Sequence, residues 1–173
     1  MVMNSGYRKF IVSVVVAVLT MVATTCFAKV SMSDLNIGGI YFGQPWSEVV
    51  AKYGQPIRQE PNAPKGYFDV FRYGNSTFRV LKSKNETIVK MGTDEGCPLA
   101  TKAGIGIGST LSDIKSAYGE PDKFITLDAY KYITATYVAG RLENGGEYQL
   151  NFQLDRNSGT VKSLGFEIEF IMP

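Results

Sequence analysis

The sequence predicts an α+β protein of two tandem units, each a short helix (or helix pair) packed on one face of an antiparallel β-meander. Three observations predict it. A stretch recurs at an offset of 65 residues, both copies carry helix start and stop residues, and each is followed by runs of period two. The implied organisation is an export segment at 1–28, a first unit at 29–93, a connector at 94–104 and a second unit at 105–173.

The export segment comes first. Arg8 and Lys9 precede an apolar run of 14 residues, Phe10–Ala23, and Thr24-Thr25-Cys26-Phe27-Ala28 ends on a small residue. The run is shorter than the roughly 20 residues a membrane span needs, and its layout is that of a secretory signal cleaved after Ala28. Retention as an N-terminal anchor is the rival. Lipidation at Cys26 is a third route, disfavoured by Thr25 before it.

Removal of that segment changes the charge. The full chain has 18 Lys+Arg against 16 Asp+Glu, and the segment holds two of the cations and no acids, so the mature chain is balanced. Bulk charge therefore gives no support for nucleic acid binding. Contact with a membrane is expected only through the N-terminal segment before cleavage. The chain has no histidine, which excludes Ser-His-Asp and Cys-His chemistry and most zinc sites. Cys97 is left alone in the mature chain, and a buried small residue is its simplest role. No cofactor or metal set is legible.

The repeat lays Ile40–Pro56 over Ile105–Pro121. Its identities are Ile40/Ile105, Gly43/Gly108, Ser47/Ser112, Tyr53/Tyr118, Gly54/Gly119 and Pro56/Pro121. Gly43 and Gly108 make the turn in, Gln44 and Ser109 take the cap, and Pro45 takes the first helical position. Trp46, Val49, Val50 and Tyr53 recur at helical spacing, as do Leu111, Ile114 and Tyr118. Gly54 and Gly119 fit a left-handed C′ position, and Pro56 and Pro121 block continuation.

Strands follow each helix. In the first copy they are Tyr67–Tyr73, Thr77–Lys82 and Thr87–Met91; in the second, Tyr130–Val138, Glu147–Leu154 and Val161–Phe170. Turn-forming clusters such as Gly74-Asn75-Ser76 and Asn144-Gly145-Gly146 separate them. Tyr148, Leu150, Phe152 and Leu154 alternate with Glu147, Gln149, Asn151 and Gln153, so one face lies under a helix and the other faces solvent.

Chemistry-bearing motifs are sparse. The glycines of Ala103–Thr110 precede a helix, but no Lys-Ser/Thr follows and only Gly108 recurs in the other copy, so they read as a turn. Asp94-Glu95 offers at most a weak cation site, and Glu167 and Glu169 read as a solvated strand face. The surface that attracts a function is the open sheet face. Tyr130, Tyr132, Thr134, Gln149 and Asn151 are its candidate partner-binding residues, with Tyr67 and Tyr73 added from the first copy. Tyrosine combines contact area, a hydroxyl and few torsions, which favours it at interfaces.

The repeated pattern of glycine, spaced hydrophobic residues, Tyr-Gly-x-Pro and three strands resembles the β-lactamase-inhibitor-protein-like fold. It is also similar to the SmpA/OmlA (BamE-type) outer-membrane assembly lipoproteins. The resemblance spans residues 36–170 and implies helices on one face of a short antiparallel sheet, with tandem repeats gripping a protein target. No contact residue carries over. The expected function is an exported, non-catalytic protein-binding module, either an enzyme inhibitor or a cell-envelope factor. The alternative is a small-ligand binder or enzyme using tyrosines and carboxylates between the units. N-terminal sequencing of the exported product should begin at Lys29; a product retaining residues 1–28 would contradict the cleavage expectation.

Overall fold

Trp46–Tyr53 form helix α1 and Leu111–Tyr118 form helix α2, each eight residues long. Helices this short are unstable alone and depend on a packed face. That face is Val49 in α1 and Ile114 with Tyr118 in α2, all buried. The computed structural model describes residues 30–61, 66–126 and 131–170. The export segment, Cys26 and Tyr130 lie outside the described residues.

Both helices start one residue later than their sequence pattern suggests, with Pro45 and Thr110 at the N-cap in place of Gln44 and Ser109. In α2 the reason is a capping box. Thr110 Oγ1 accepts from the Asp113 amide at 3.2 Å, and the Asp113 carboxylate accepts from the Thr110 amide at 2.7 Å. In the first helix Gln44 spends its side chain on the Tyr41 amide and on Glu48. The helix ends also depart from expectation. Gly54 and Gly119 both have φ +80°, but with ψ −169° and −161°. That is a nearly glycine-only extended region, not the left-handed helical one, and it turns the chain directly toward a strand.

A two-stranded ribbon, β1 (Asn36–Ile37) and β2 (Ile40–Tyr41), follows a 3₁₀ turn at Met32–Asp34. The main strands are β3 (Arg58–Pro61), β4 (Tyr67–Tyr73), β5 (Ser76–Lys82), β6 (Ile88–Thr93), β7 (Lys123–Thr126), β8 (Tyr132–Arg141), β9 (Gly146–Asp155) and β10 (Val161–Phe170). The protein is thus α+β. Two expectations need correction. Each meander has a fourth strand, β3 or β7, on its outer edge. The meanders are not separate layers either. They join through β6 and β10 into one eight-stranded antiparallel sheet of order β3-β4-β5-β6-β10-β9-β8-β7.

The helices cover one face of that sheet. Trp46 meets Phe71 edge-on at 5.4 Å, Phe71 stacks on Phe78 at 5.1 Å, and Tyr53 meets Phe78 at 4.9 Å. Tyr118 packs against Tyr137 and Phe152. Aromatic pairs of this kind add about 0.5–1.5 kcal/mol each to the burial of their area. Met91, Leu164 and Phe166 continue the core beneath the β6–β10 join. Cys97 lies in that core, and burial pushes its thiol above the ordinary value, so it packs as a small apolar residue.

The paired Tyr-Gly-x-Pro segments sit in matching settings. Tyr53 donates its hydroxyl to the Gly38 carbonyl at 2.5 Å, and Tyr118 donates to Thr101 Oγ1 at 2.8 Å. Gly38 and Thr101 belong to one junction, because the Gly38 amide donates to the Ala100 carbonyl and Ile37 bridges Thr101. Both helices are therefore fastened to the place where the ribbon meets the connector. Ahead of the helices, the Gly43 amide bonds the carbonyl of Ile88 and the Gly108 amide that of Val161, the first residues of β6 and β10.

Two outcomes follow for urea denaturation. Tyr118→Phe should cost about 1 kcal/mol, the usual worth of one buried hydrogen bond, since Thr101 Oγ1 keeps its bond from the Ile105 amide. Gly119→Ala should cost about 1–3 kcal/mol because alanine resists that backbone region.

Candidate functional site

Strand register decides which side chains reach the open face. Phe71 lies opposite Phe78, and Val80 opposite Met91, on the helix side; Val70, Arg79, Gly92 and Gly165 are then in register on the other side. From there the open face continues through Glu167, Gln149 and Val138, and through Asn151 and Thr136 to Lys123 at the edge.

A trough of 340 Å³ lies on this face over β10, β9, β8 and β7, with β6 along one side. Gly92 and Gly165, which face each other across β6 and β10, form part of its floor. Thr134, Thr136, Gln149, Asn151, Gln153 and Ser163 supply hydroxyls and amides along one side. Lys90, Lys123, Glu167 and Glu169 supply its charges.

Those groups are held by bonds across the strands. Thr136 donates to Asn151 Oδ1 at 2.7 Å, Asn151 Nδ2 donates to Glu167 at 3.2 Å, and Glu167 pairs with Lys90. Gln149 Nε2 donates to Glu147 at 3.1 Å and to Glu169 at 2.5 Å. Lys123 Nζ lies 2.8 Å from Glu147 and 3.2 Å from Glu169. Ser163 donates to Gln153 at 2.8 Å.

Glu147 is 2 % exposed although it stands on the solvent side, and Arg141 supplies a further pair at 3.2 Å. The hydrogen bond from Lys123 holds the Glu147 carboxyl below its ordinary value against the opposing effect of burial, and Glu147 in turn raises Lys123. The first half of the face has its own chain of pairs. Arg79 bridges Glu60 and Asp94, Arg58 pairs with Glu60, and Thr77 bonds Asp94.

The structure places Thr134, Gln149 and Asn151 in the trough, as the alternation of the later strands implies. Tyr132 is half-buried at the end of the same face, opposite Asp155. Tyr67 and Tyr73 are elsewhere. They share the helix-side face with Phe71, and Tyr73 packs against Tyr53 at 5.8 Å. The addition of Tyr67 and Tyr73 to the open face is therefore corrected, because only the register of β4 against β5 fixes the phase of its alternating aromatics. The side chains of the trough carry hydroxyls and amides instead. Gly92 and Gly165 escaped notice in the sequence, although a glycine inside a strand is itself a signal of a bulge or a close approach.

The other candidate chemistry is absorbed by the fold. Asp94 and Glu95 are committed to Arg79 and Lys162. The N-terminus of α2 is closed by the Asp113 carboxylate. Among the described residues, no group of three metal-ligating side chains could hold an ion, and no helix is long and apolar enough to cross a membrane.

Solved structures share this fold. A cysteine-rich secretory protein of Staphylococcus aureus is similar at 20% identity and a TM-score of 0.58, over 81% of this chain and 48% of that one. An extracellular protein of Bacillus anthracis containing an SCP domain is similar at 14% identity and a TM-score of 0.52, over 73% of this chain and 43% of that one. The chain thus spans less than half the length of either. The DUF4309 family protein YjgB of Bacillus subtilis overlaps at 19% identity and a TM-score of 0.49, over 76% of this chain and 83% of that one. No family model and no curated protein matches the chain.

The buried carboxylate carries a pH prediction. Its folded-state value lies below that of the unfolded chain, so its contribution is complete above the unfolded value and is lost as pH falls through the folded one. Urea denaturation across the acidic range should show stability falling with pH, and Glu147→Gln should flatten that fall. Parallel curves for the two proteins would contradict it.

Proposed function

We propose that this chain is an exported, non-catalytic protein-binding module that receives its partner on the open face of the sheet. One observation carries the reading: a polar trough whose side chains are fixed by cross-strand bonds lies on the open face of the second meander, with β6 along one side. Groups fixed in advance lose little freedom on binding, which favours affinity. Export rests on the N-terminal segment, and the two similar structures described as secretory and extracellular support it.

The tandem origin of the two halves belongs to the same proposal. Its support is the recurring order of a helix and four strands, the matching backbone at Gly54 and Gly119, and the matching bonds of Gly43 and Gly108. A partner-gripping role like that of β-lactamase-inhibitor-protein-like or SmpA/OmlA-like domains, as an enzyme inhibitor or an envelope factor, is part of the proposal.

The alternative is a small-ligand binder or enzyme between the halves. The contribution of β6, from the first half, to a trough lined by β7–β10 of the second favours it. Against it, no tyrosine lines the trough, and Glu167 and Glu169 are each tied to a lysine.

The test is retention of partners from cell-envelope extracts on the immobilised mature chain. Thr134→Arg, which fills the trough, should abolish retention of a specific partner. Ser116→Arg, on the exposed side of α2, should leave it unchanged. Equal loss or equal retention by both variants would contradict the open-face reading.

A further inference from the structure

Gly92 and Gly165 both form part of the floor of the trough, but the fold needs only one of them. A Cβ on Gly165 would lie 2.5 Å from the Met91 carbonyl oxygen and 3.2 Å from the Gly92 Cα, so the tight join of β6 and β10 requires glycine there. Gly92 has no such excuse. Its φ lies outside the range that excludes side chains, and a Cβ on it would meet nothing within 4 Å. Glycine inside a strand is a stability loss, since it costs backbone entropy and packs nothing. The missing side chain leaves open space above the middle of the sheet, and close approach of a ligand to the backbone is one use of such a strand glycine.

The surroundings define the chemistry of that ligand. The charges lining the trough cancel, Lys90 against Glu167 and Lys123 against Glu169, so an added charge would have to break a pair or go without one. The available space, 340 Å³, is at the lower end of binding clefts and suits one large side chain with its adjoining backbone. A flat ring is the group that covers facing strand glycines well, and the Asn151 amide, opposite Gly165 on the open face, suits a ring with a polar edge.

We propose that the trough receives an uncharged loop of a partner protein and that a Tyr or Trp ring of that loop seats over Gly92 and Gly165. This inference rests on the open-face reading and goes further by naming the anchor and its seat. In it, Gly92 is a specificity-determining position at which stability is given up for access.

The test uses cyclic peptides of Ser, Asn and Gly that display Trp, Tyr, Leu, Lys or Glu at the loop tip, titrated into the mature chain by NMR. The Trp and Tyr peptides should shift the amide resonances of Gly92, Gly165 and Thr134, and the Lys and Glu peptides should not. Gly92→Val should weaken Trp-peptide binding by about tenfold or more. Its thermal midpoint, and that of Gly92→Ala, should be unchanged or higher. Any of three results would overturn the inference: Trp and Tyr peptides that do not bind, Gly92→Val binding as well as the wild type, or a lowered midpoint for Gly92→Ala. Thr134→Arg separates the two levels. If it abolishes binding while Gly92→Val does not, only the ring-on-glycine inference falls; if Trp-peptide binding survives both, the open-face reading falls with it.

Discussion

The join between β6 and β10 is the contact on which the rest of the structure depends. The ladder there is short, with Gly165 opposite Gly92 and Phe166 opposite Met91. It is extended by a side chain: Thr93 Oγ1 accepts from the Leu164 amide at 3.0 Å and donates to the Leu164 carbonyl at 3.2 Å. A buried backbone amide and carbonyl left unpaired there would be costly, and one threonine satisfies both. Beneath it, Met91, Leu164 and Phe166 make the two halves of the core continuous. Without this contact there would be two four-stranded sheets and four edges; with it there is one sheet, and β6 closes one side of the trough.

The same join explains why the two faces differ. On the helix side, apolar rings bury and the tyrosines of α1 and α2 turn their hydroxyls to one junction. Burial pushes the Tyr53 hydroxyl up to about 12, so it remains a protonated donor to the Gly38 carbonyl. On the open side, polar residues are nearly as buried as a core, Gln149 and Thr136 at 3 % exposure among them. Such burial is tolerable only because each group has a partner, and no buried side-chain nitrogen or oxygen among the described residues lacks one. The outcome is a polar surface that holds its shape, as a binding surface requires.

Much of the architecture was legible in the residues. The Tyr-Gly-x-Pro endings marked both helices because glycine and proline act locally, through backbone angles that neighbours hardly alter. The strands β4 and β10 were readable at their true bounds for the same kind of reason, alternation between turn residues. The edge strands β3 and β7 were not. Arg58-Gln59-Glu60-Pro61 and Lys123-Phe124-Ile125-Thr126 are too short to show a period, and they are strands only because β4 and β8 offer them a ladder. The face of Tyr67 and Tyr73 was equally hidden, since both sides of β4 carry bulky apolar residues and pairing with β5 chooses between them. The join itself is a contact between residues some seventy positions apart, and nothing in the local pattern of Met91-Gly92-Thr93 announces its partner.

Hydrogen exchange at the join tests the central claim most directly. If one cooperative sheet is built around β6 and β10, the Leu164 amide should exchange as slowly as those in the middle of β5 and β9, all through the same global opening. If Leu164 exchanges fast, or the β3–β6 and β7–β10 halves open with separate free energies, the two halves are independent bodies and the trough that β6 shares with β7–β10 is not a fixed surface.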